Sequence, residues 1–244
     1  MNRFFLPPSA IQPESIFFPP DVSAQIARVL RLTESDHVLV LDDLGSAYEV
    51  QLDEISAKEA RGSVIRKFAA GNEPRVHLTL QICLTQREKF EWILQKGTEL
   101  GVAAFLPVLT SRTLVQKIDD VAGKTERWMK ILKEAAEQSE RGRIPALLPV
   151  VSLKNALVPD SSDLDLVLNE DESQAGLTTS LKNHLPLSRI RMLIGPEGGF
   201  STDEVRLAQN AGYFSVSLGP RILRMETAAV AAVAIAMAEL SELG

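Results

Sequence analysis

A single cysteine, Cys83, stands in a chain of 244 residues, which excludes an intramolecular disulfide framework and fits a reducing compartment. Histidine is almost as scarce. His37, His77 and His184 are scattered without the spacing of a metal site, and neither HExxH nor CxxC occurs. No G-x-S-x-G elbow is present, so a serine-hydrolase nucleophile has no place to sit. No G-x-G-x-x-G is found either. Gly123-Lys124-Thr125 imitates the end of a phosphate-binding loop, but Ile118 occupies the position of its first glycine. NAD and ATP cradles are therefore discounted. No apolar run is long enough to span a bilayer; Ala228–Leu240 comes nearest and is too short. The opening MNRFFLPPSA lacks the apolar stretch of a secretory signal and does not read as a signal peptide. An excess of positive charge is missing too. The net charge is −6, which by itself does not suggest nucleic acid, although residues 73–150 carry 12 Lys and Arg against 10 Asp and Glu.

What is present is the balance of a folded protein: 45% hydrophobic and 24% charged residues, enough for a sizeable core. The first seventy residues read mainly as strands. His37–Leu41 is an apolar run, Asp42-Asp43-Leu44-Gly45 supplies a turn, Ala47–Leu52 alternates, and Ala60–Phe68 can pair with it. Ahead of them Pro19-Pro20-Asp21 predicts a helix start with Asp21 as N-cap. The Pro- and Gly-containing stretch 69–74 is the expected linker, dividing the chain into domains 1–72 and 73–244. Beyond it strands and helices alternate. Strands are predicted at Val76–Cys83, Ala103–Leu109, Leu164–Leu168, Ile190–Ile194 and Phe214–Leu218. Helices are predicted at Lys89–Leu100, Thr125–Ser139, Thr202–Ala211 and Thr227–Leu240. This is the pattern of an α/β domain with a parallel sheet, whose ligand loops lie at the C-terminal ends of the strands.

Two of those strand ends carry chemistry. Leu193-Ile194-Gly195-Pro196-Glu197-Gly198-Gly199-Phe200-Ser201 is a strand end, a glycine loop and a helix start, with Ser201 and Glu204 spaced as a capping box. Leu218-Gly219-Pro220-Arg221-Ile222-Leu223-Arg224-Met225-Glu226-Thr227-Ala228 again joins a strand to a helix and holds two arginines able to grip a planar polar group or a phosphate. Neighbouring strand ends can close both loops around one ligand. KGTELG (96–101) reads more simply as a helix C-terminus closed by Gly101. Lys130, Lys133, Arg141 and Arg143 could track a phosphate backbone, or could pair with Glu134, Glu137 and Glu140 on a surface helix.

Together LIGPEGGFS (193–201) and LGPRILRMETA (218–228), with KGTELGV (96–102) and EAAEQSER (134–141) in order before them, resemble the ribosomal RNA small subunit methyltransferase E family of the SPOUT superfamily. The resemblance runs from Arg3-Phe4-Phe5 to the last helix. It implies an N-terminal PUA-like β-barrel for RNA recognition and a C-terminal SPOUT α/β domain with a deep trefoil knot. It implies S-adenosyl-L-methionine as cofactor and methylation of N3 of one uridine in the decoding region of 16S rRNA, on the assembled small ribosomal subunit. It also implies a cytoplasmic homodimer with no membrane or metal partner. Carried onto this chain, the cofactor-lining residues are Leu168, Leu193, Gly195, Pro196, Glu197, Gly198, Gly199, Leu218, Gly219, Ile222, Leu223, Arg224, Met225 and Thr227. Arg224 and Arg221 are the expected catalytic cations. Glu99 and Glu197 are candidates for a base, and Arg3, Arg28, Arg31 and Arg141 for RNA contact. Three positions depart from the pattern: Gln25 where the family often has His, and Ser35 and Glu140 where Gly is usual. Two other readings stay open, a non-catalytic RNA-binding or ribosome assembly factor on the same fold and an unrelated small-molecule α/β enzyme.

Overall fold

The computed structural model describes residues 1–113 and 123–243, so Ile118 lies outside the described residues. The chain divides into two compact units, Met1–Glu73 with Ala136–Ile144, and Pro74–Ala135 with Pro145–Gly244.

The first unit is a five-stranded sheet of β1 (Arg3–Phe5), β2 (Ser15–Phe18), β3 (His37–Leu41), β4 (Ser46–Ile55) and β5 (Ala60–Ala69), in the order β1-β3-β4-β5-β2. Only the β1–β3 pair is parallel; β3–β4, β4–β5 and β5–β2 are antiparallel. The unbroken apolar run of β3 has a simple cause, because both of its faces are covered. Val38 and Val40 join a core with Phe4, Ile16, Phe18 and Ile26, while Leu39 and Leu41 join Phe5, Ala47 and Ala136 on the other side. The helix α1 (Pro20–Ala24) runs on into a wider π-type turn over Gln25–Leu30. Its N-cap is Pro19, with Pro20 already in the first turn and no side-chain cap, which corrects the expectation that Asp21 caps it. Proline at the first helical position has no N–H to satisfy, so the helix starts there without a capping side chain.

Residues 136–144 belong to this unit through a set of bonds that periodicity does not reveal. Glu137 accepts from the N–H of Phe5 at 2.9 Å, and Arg3 donates to Glu140 at 2.8 Å. Glu73 accepts from Arg141 at 2.6 Å and from the N–H groups of Gly142 and Arg143 at 3.0 and 3.1 Å. The two departures from glycine noted above both have left-handed backbones: Ser35 has φ 73° and Glu140 has φ 61°. An L-residue there is strained by about 1–2 kcal/mol. Glu140 holds Arg3 in return, but no side-chain hydrogen bond of Ser35 offsets its strain among the described residues. Replacing Ser35 with Gly is therefore expected to stabilise the protein by about 0.5–1 kcal/mol, net of the entropy glycine adds to the unfolded chain. A lower denaturation midpoint would refute this.

The second unit is a parallel sheet built from β6 (His77–Cys83), β7 (Ala104–Leu109), β8 (Ala146–Leu147), β9 (Val151–Ser152), β10 (Leu164–Leu168), β11 (Arg189–Ile194) and β12 (Phe214–Val216). The order is β12-β10-β11-β6-β7-β8, with β9 also on β7. Helices α2 (Arg87–Glu99), α3 (Thr125–Gln138), α4 (Leu153–Ala156), α5 (Leu177–Asn183) and α6 (Thr202–Asn210) lie between the strands, and α7 (Met225–Glu239) follows the last of them. Gly97 is more than part of a helix end. It lies inside α2 against β7, where a Cβ would come within 2.8 Å of the Phe105 ring, so only glycine lets the helix settle on the sheet. No helix among the described residues is long and apolar enough to cross a membrane. The order of the strands matters most for function. β12, β10 and β11 are neighbours, so their C-terminal ends at Val216, Leu168 and Ile194 lie side by side.

Candidate functional site

Three loops leave those adjacent strand ends and enclose a cleft. The loop after β10 gives Leu168, Asn169 and Glu170. The loop after β11 gives Ile194, Gly195, Pro196, Glu197, Gly199 and Phe200. The loop after β12 gives Val216, Ser217, Leu218, Gly219, Arg221 and Leu223, and Met225 and Ala228 of α7 complete the wall. Sequence reasoning placed the second and third loops here but missed Asn169, Glu170, Ile194, Phe200, Val216, Ser217 and Ala228. The position directly after Leu168 was the available signal for Asn169 and Glu170.

The glycine loop is braced from several sides. Ser201 and Glu204 form the expected capping box, with Glu204 N–H donating to Ser201 Oγ at 3.2 Å and Ser201 N–H to Glu204 Oε2 at 2.8 Å. Glu204 Oε1 also accepts from the N–H and hydroxyl of Ser111 at 3.0 and 2.9 Å. Arg112 Nη1 donates to the carbonyl of Gly198 at 2.8 Å. Glu197 accepts from Thr85 Oγ1 at 3.0 Å and from the Lys89 ammonium. That ammonium holds the Glu197 carboxyl below the ordinary range, so Glu197 stays ionised and is a poor proton acceptor. Gly199 turns the loop with φ 66°, and a Cβ on it would lie 2.7 Å from Glu170 Oε1. A side chain there would strain the backbone and push the carboxylate away.

Burial alone would raise Glu204, but the hydrogen bonds from Ser201 and Ser111 outweigh it and hold the carboxyl below its usual range. A depressed native value means stability that is full above the ordinary carboxylate range and is lost as pH falls through the native value. Glu204→Gln should therefore cost about 1 kcal/mol at neutral pH, with the difference from wild type shrinking once pH falls below the ordinary carboxylate range. A penalty that does not change between those two conditions would show that charge at Glu204 is irrelevant.

Not every expected residue reaches the cleft. Leu193 is fully buried inside β11, and Gly198 turns its carbonyl to Arg112. Ile222 is 84% exposed, and Arg224 and Thr227 are exposed outside the lining, Arg224 as N-cap of α7. Glu99 ends α2 paired with Lys96 at 2.8 Å and is not brought to the cleft. Arg28 and Arg31 are exposed. Arg141 is not a surface cation. Its side chain is 4% exposed and turned to Glu73, because burying a guanidinium requires a carboxylate beside it. Lys130 pairs with Glu134 at 3.7 Å on α3, as a charged surface helix does.

A cleft of this make-up at adjoining strand ends has counterparts among known proteins. The family model for an RNA methyltransferase domain matches residues 72–237. A ribosomal RNA small subunit methyltransferase E of Bacillus subtilis (strain 168) is 37% identical over 212 residues, covering 83% of this chain and 82% of its own. The chain belongs to the ribosomal RNA small subunit methyltransferase E family. Two solved structures superpose closely on this chain. The Neisseria gonorrhoeae enzyme, bound to S-adenosyl methionine, has a TM-score of 0.87 and 30% identity over 98% of this chain and 97% of its own. A putative methyltransferase from Legionella pneumophila in complex with S-adenosyl methionine has a TM-score of 0.87 and 28% identity, covering 97% and 96%. The residues matched by the family model, 72–237, include all the strands of the parallel sheet.

Proposed function

We propose that the chain transfers a methyl group from S-adenosylmethionine to N3 of a uridine in the decoding region of 16S ribosomal RNA, on the assembled small subunit, as a cytoplasmic homodimer. The observation that carries this reading is the cleft. Its walls at Leu168, Ile194, Val216, Leu218, Leu223 and Met225 suit an adenine ring, and the backbone of the three loops can pair with ring and ribose groups. Its carboxylates, Glu170 and Glu197, suit a cationic ligand rather than a phosphate chain. The residues present therefore fit the cofactor of the family's solved members.

Bound S-adenosylmethionine supplies an already activated methyl group, so alignment is the larger part of what the chain must provide, about 7–11 kcal/mol where it is good. The braces on the glycine loop from Thr85, Lys89, Ser111 and Arg112 serve that end. Uracil N3 carries a proton and is a poor nucleophile until it loses it. Arg221, in the cleft wall, and Arg224, three residues on, are the cations to stabilise the negative charge that develops on the base. Of the two acids first considered as a base, Glu99 stands outside the cleft and Glu197 is tied to Lys89, so the N3 proton passes to solvent water. A knot threading the loops after β11 and β12, and closure of the first unit's sheet into a PUA-like barrel, belong to the same reading. There Arg28 and Arg31 are the RNA-facing cations, while Arg3, held by Glu140, and Arg141 brace the unit. The dimer is supported by α7. It is apolar nearly all round, yet Val230, Ala231, Ala234 and Ile235 are only half-buried.

The deciding experiment incubates small subunits lacking the modification with methyl-labelled S-adenosylmethionine and analyses the nucleosides. Label in 3-methyluridine is the expected result. Label in another nucleoside would keep the methyltransferase and remove the uridine assignment. RNA binding without label would leave a non-catalytic assembly factor.

A further inference from the structure

Three ionic side chains line the cleft among the described residues, Glu170, Glu197 and Arg221, and they are not equivalent. Glu197 is compensated by Lys89 and by the Thr85 hydroxyl. Glu170 has no such partner, and no hydrogen bond or ion pair reaches its carboxylate among the described residues. Its side chain is exposed to solvent. Oε1 packs against Gly199, at 2.7 Å from where a Cβ would be, so the left-handed turn of the glycine loop makes room for this carboxylate. The side chain leaves the chain two residues after β10, the middle strand of the three that form the site. The cleft thus holds one uncompensated negative charge, at a place the backbone keeps clear for it.

We infer that Glu170 selects the methyl-carrying, cationic form of the cofactor over the spent one. The inference rests on the S-adenosylmethionine reading and sharpens it. Methyl transfer breaks the carbon–sulfur bond, leaves the electron pair on sulfur and so converts a sulfonium into a neutral thioether. Adenine, ribose and the amino-acid group are the same before and after. A site that contacts only those shared parts cannot tell donor from product, and a ligand with equal affinity in both forms gains no direction. A carboxylate placed beside the sulfur would attract the donor and lose that attraction once the methyl group has gone. Glu170 would thereby weaken the hold on product after each turnover.

Glu170→Gln keeps the shape and removes the charge. Calorimetric titration of wild type and variant with three probes separates the possibilities. The probes are S-adenosylmethionine, S-adenosylhomocysteine, and sinefungin, which carries an amine-bearing carbon in place of the sulfonium. The expected result is about a tenfold loss of affinity for the two cationic ligands and less than a twofold change for S-adenosylhomocysteine. Retained affinity for the homocysteine form also shows that the variant is folded. An equal loss for all three would overturn the inference, because Glu170 would then hold a shared group. No change for any of them would overturn it as well, by removing Glu170 from the ligand. Failure of the wild-type protein to bind S-adenosylmethionine at all is a separate outcome, and it would bring down the proposed function together with this inference.

Discussion

Replacing Arg221 with alanine should lower the rate of methyl transfer by about 100-fold or more and leave the unfolding midpoint nearly unchanged. Two structural facts separate those effects. Arg221 is exposed on the loop after β12, so deleting its side chain opens no cavity and leaves no buried partner unpaired. It is also the cation of the cleft lining among the described residues, since Lys89 and Arg112 are engaged in bracing the glycine loop. In the proposed reaction, the charge that develops on uracil as N3 gives up its proton needs a donor already in place, and removing one such donor typically costs about 10²–10³ in rate. The loss should appear in kcat. If Arg221 instead gripped an RNA phosphate, KM for the subunit would rise at unchanged kcat, and the salt dependence of binding would weaken. Activity within twofold of wild type would remove Arg221 from the site. Arg221→Lys should recover only part of the loss, because an ammonium lacks the planar fork that matches two acceptor atoms.

How much of this was legible in the sequence depended on how far apart the interacting residues are. Strands β3 to β7 and β10 to β12 announced themselves through local patterns, whereas β1 and β2 did not, and the Ser201–Glu204 capping box is complete within four residues. The glycine loop could be read for the same reason. Its partner across the cleft could not. Asn169 and Glu170 follow a short apolar strand with no glycine to mark them, and they gain meaning only because β10 lies between β11 and β12 in the sheet. The same holds for KGTELG. Gly101 was visible as a helix end, and it does take φ 96°, but the need for Gly97 comes from Phe105 on another strand. The basic run ending in Arg143 left two readings open because its decisive partner, Glu73, is 68 residues from Arg141. Residues 136–144 look continuous with their helix in sequence, yet they are held by Phe5, Arg3, Asp43 and Glu73 of the first unit. The strands β8 and β9 and the helix α4 are too short to produce any period.

The largest loss of stability should follow Arg191→Ala, at about 3–5 kcal/mol. Arg191 sits in β11, four residues before the glycine loop, and its side chain is 6% exposed. The guanidinium pairs with Asp165 on β10, with Nε at 2.6 Å from Oδ1. It also donates to the carbonyl of Val158 at 2.8 Å and lies 5.2 Å from the centre of the Tyr213 ring. Tyr213 continues the network, donating to Gln81 Oε1 at 2.9 Å, and burial pushes its hydroxyl up to about 12. The cluster therefore ties β6, β10 and β11 together beneath the cleft. Alanine would leave Asp165, only 15% exposed, without its counter-charge, and that uncompensated carboxylate is the larger part of the cost. The explanation can be checked by removing the acid as well. Arg191→Met combined with Asp165→Leu should recover most of the stability in urea denaturation, because the desolvation of both charges disappears with them. If the double variant is as unstable as Arg191→Ala, then the hydrogen bond to Val158 and the contact with Tyr213 hold β11 in place, and the ion pair does not.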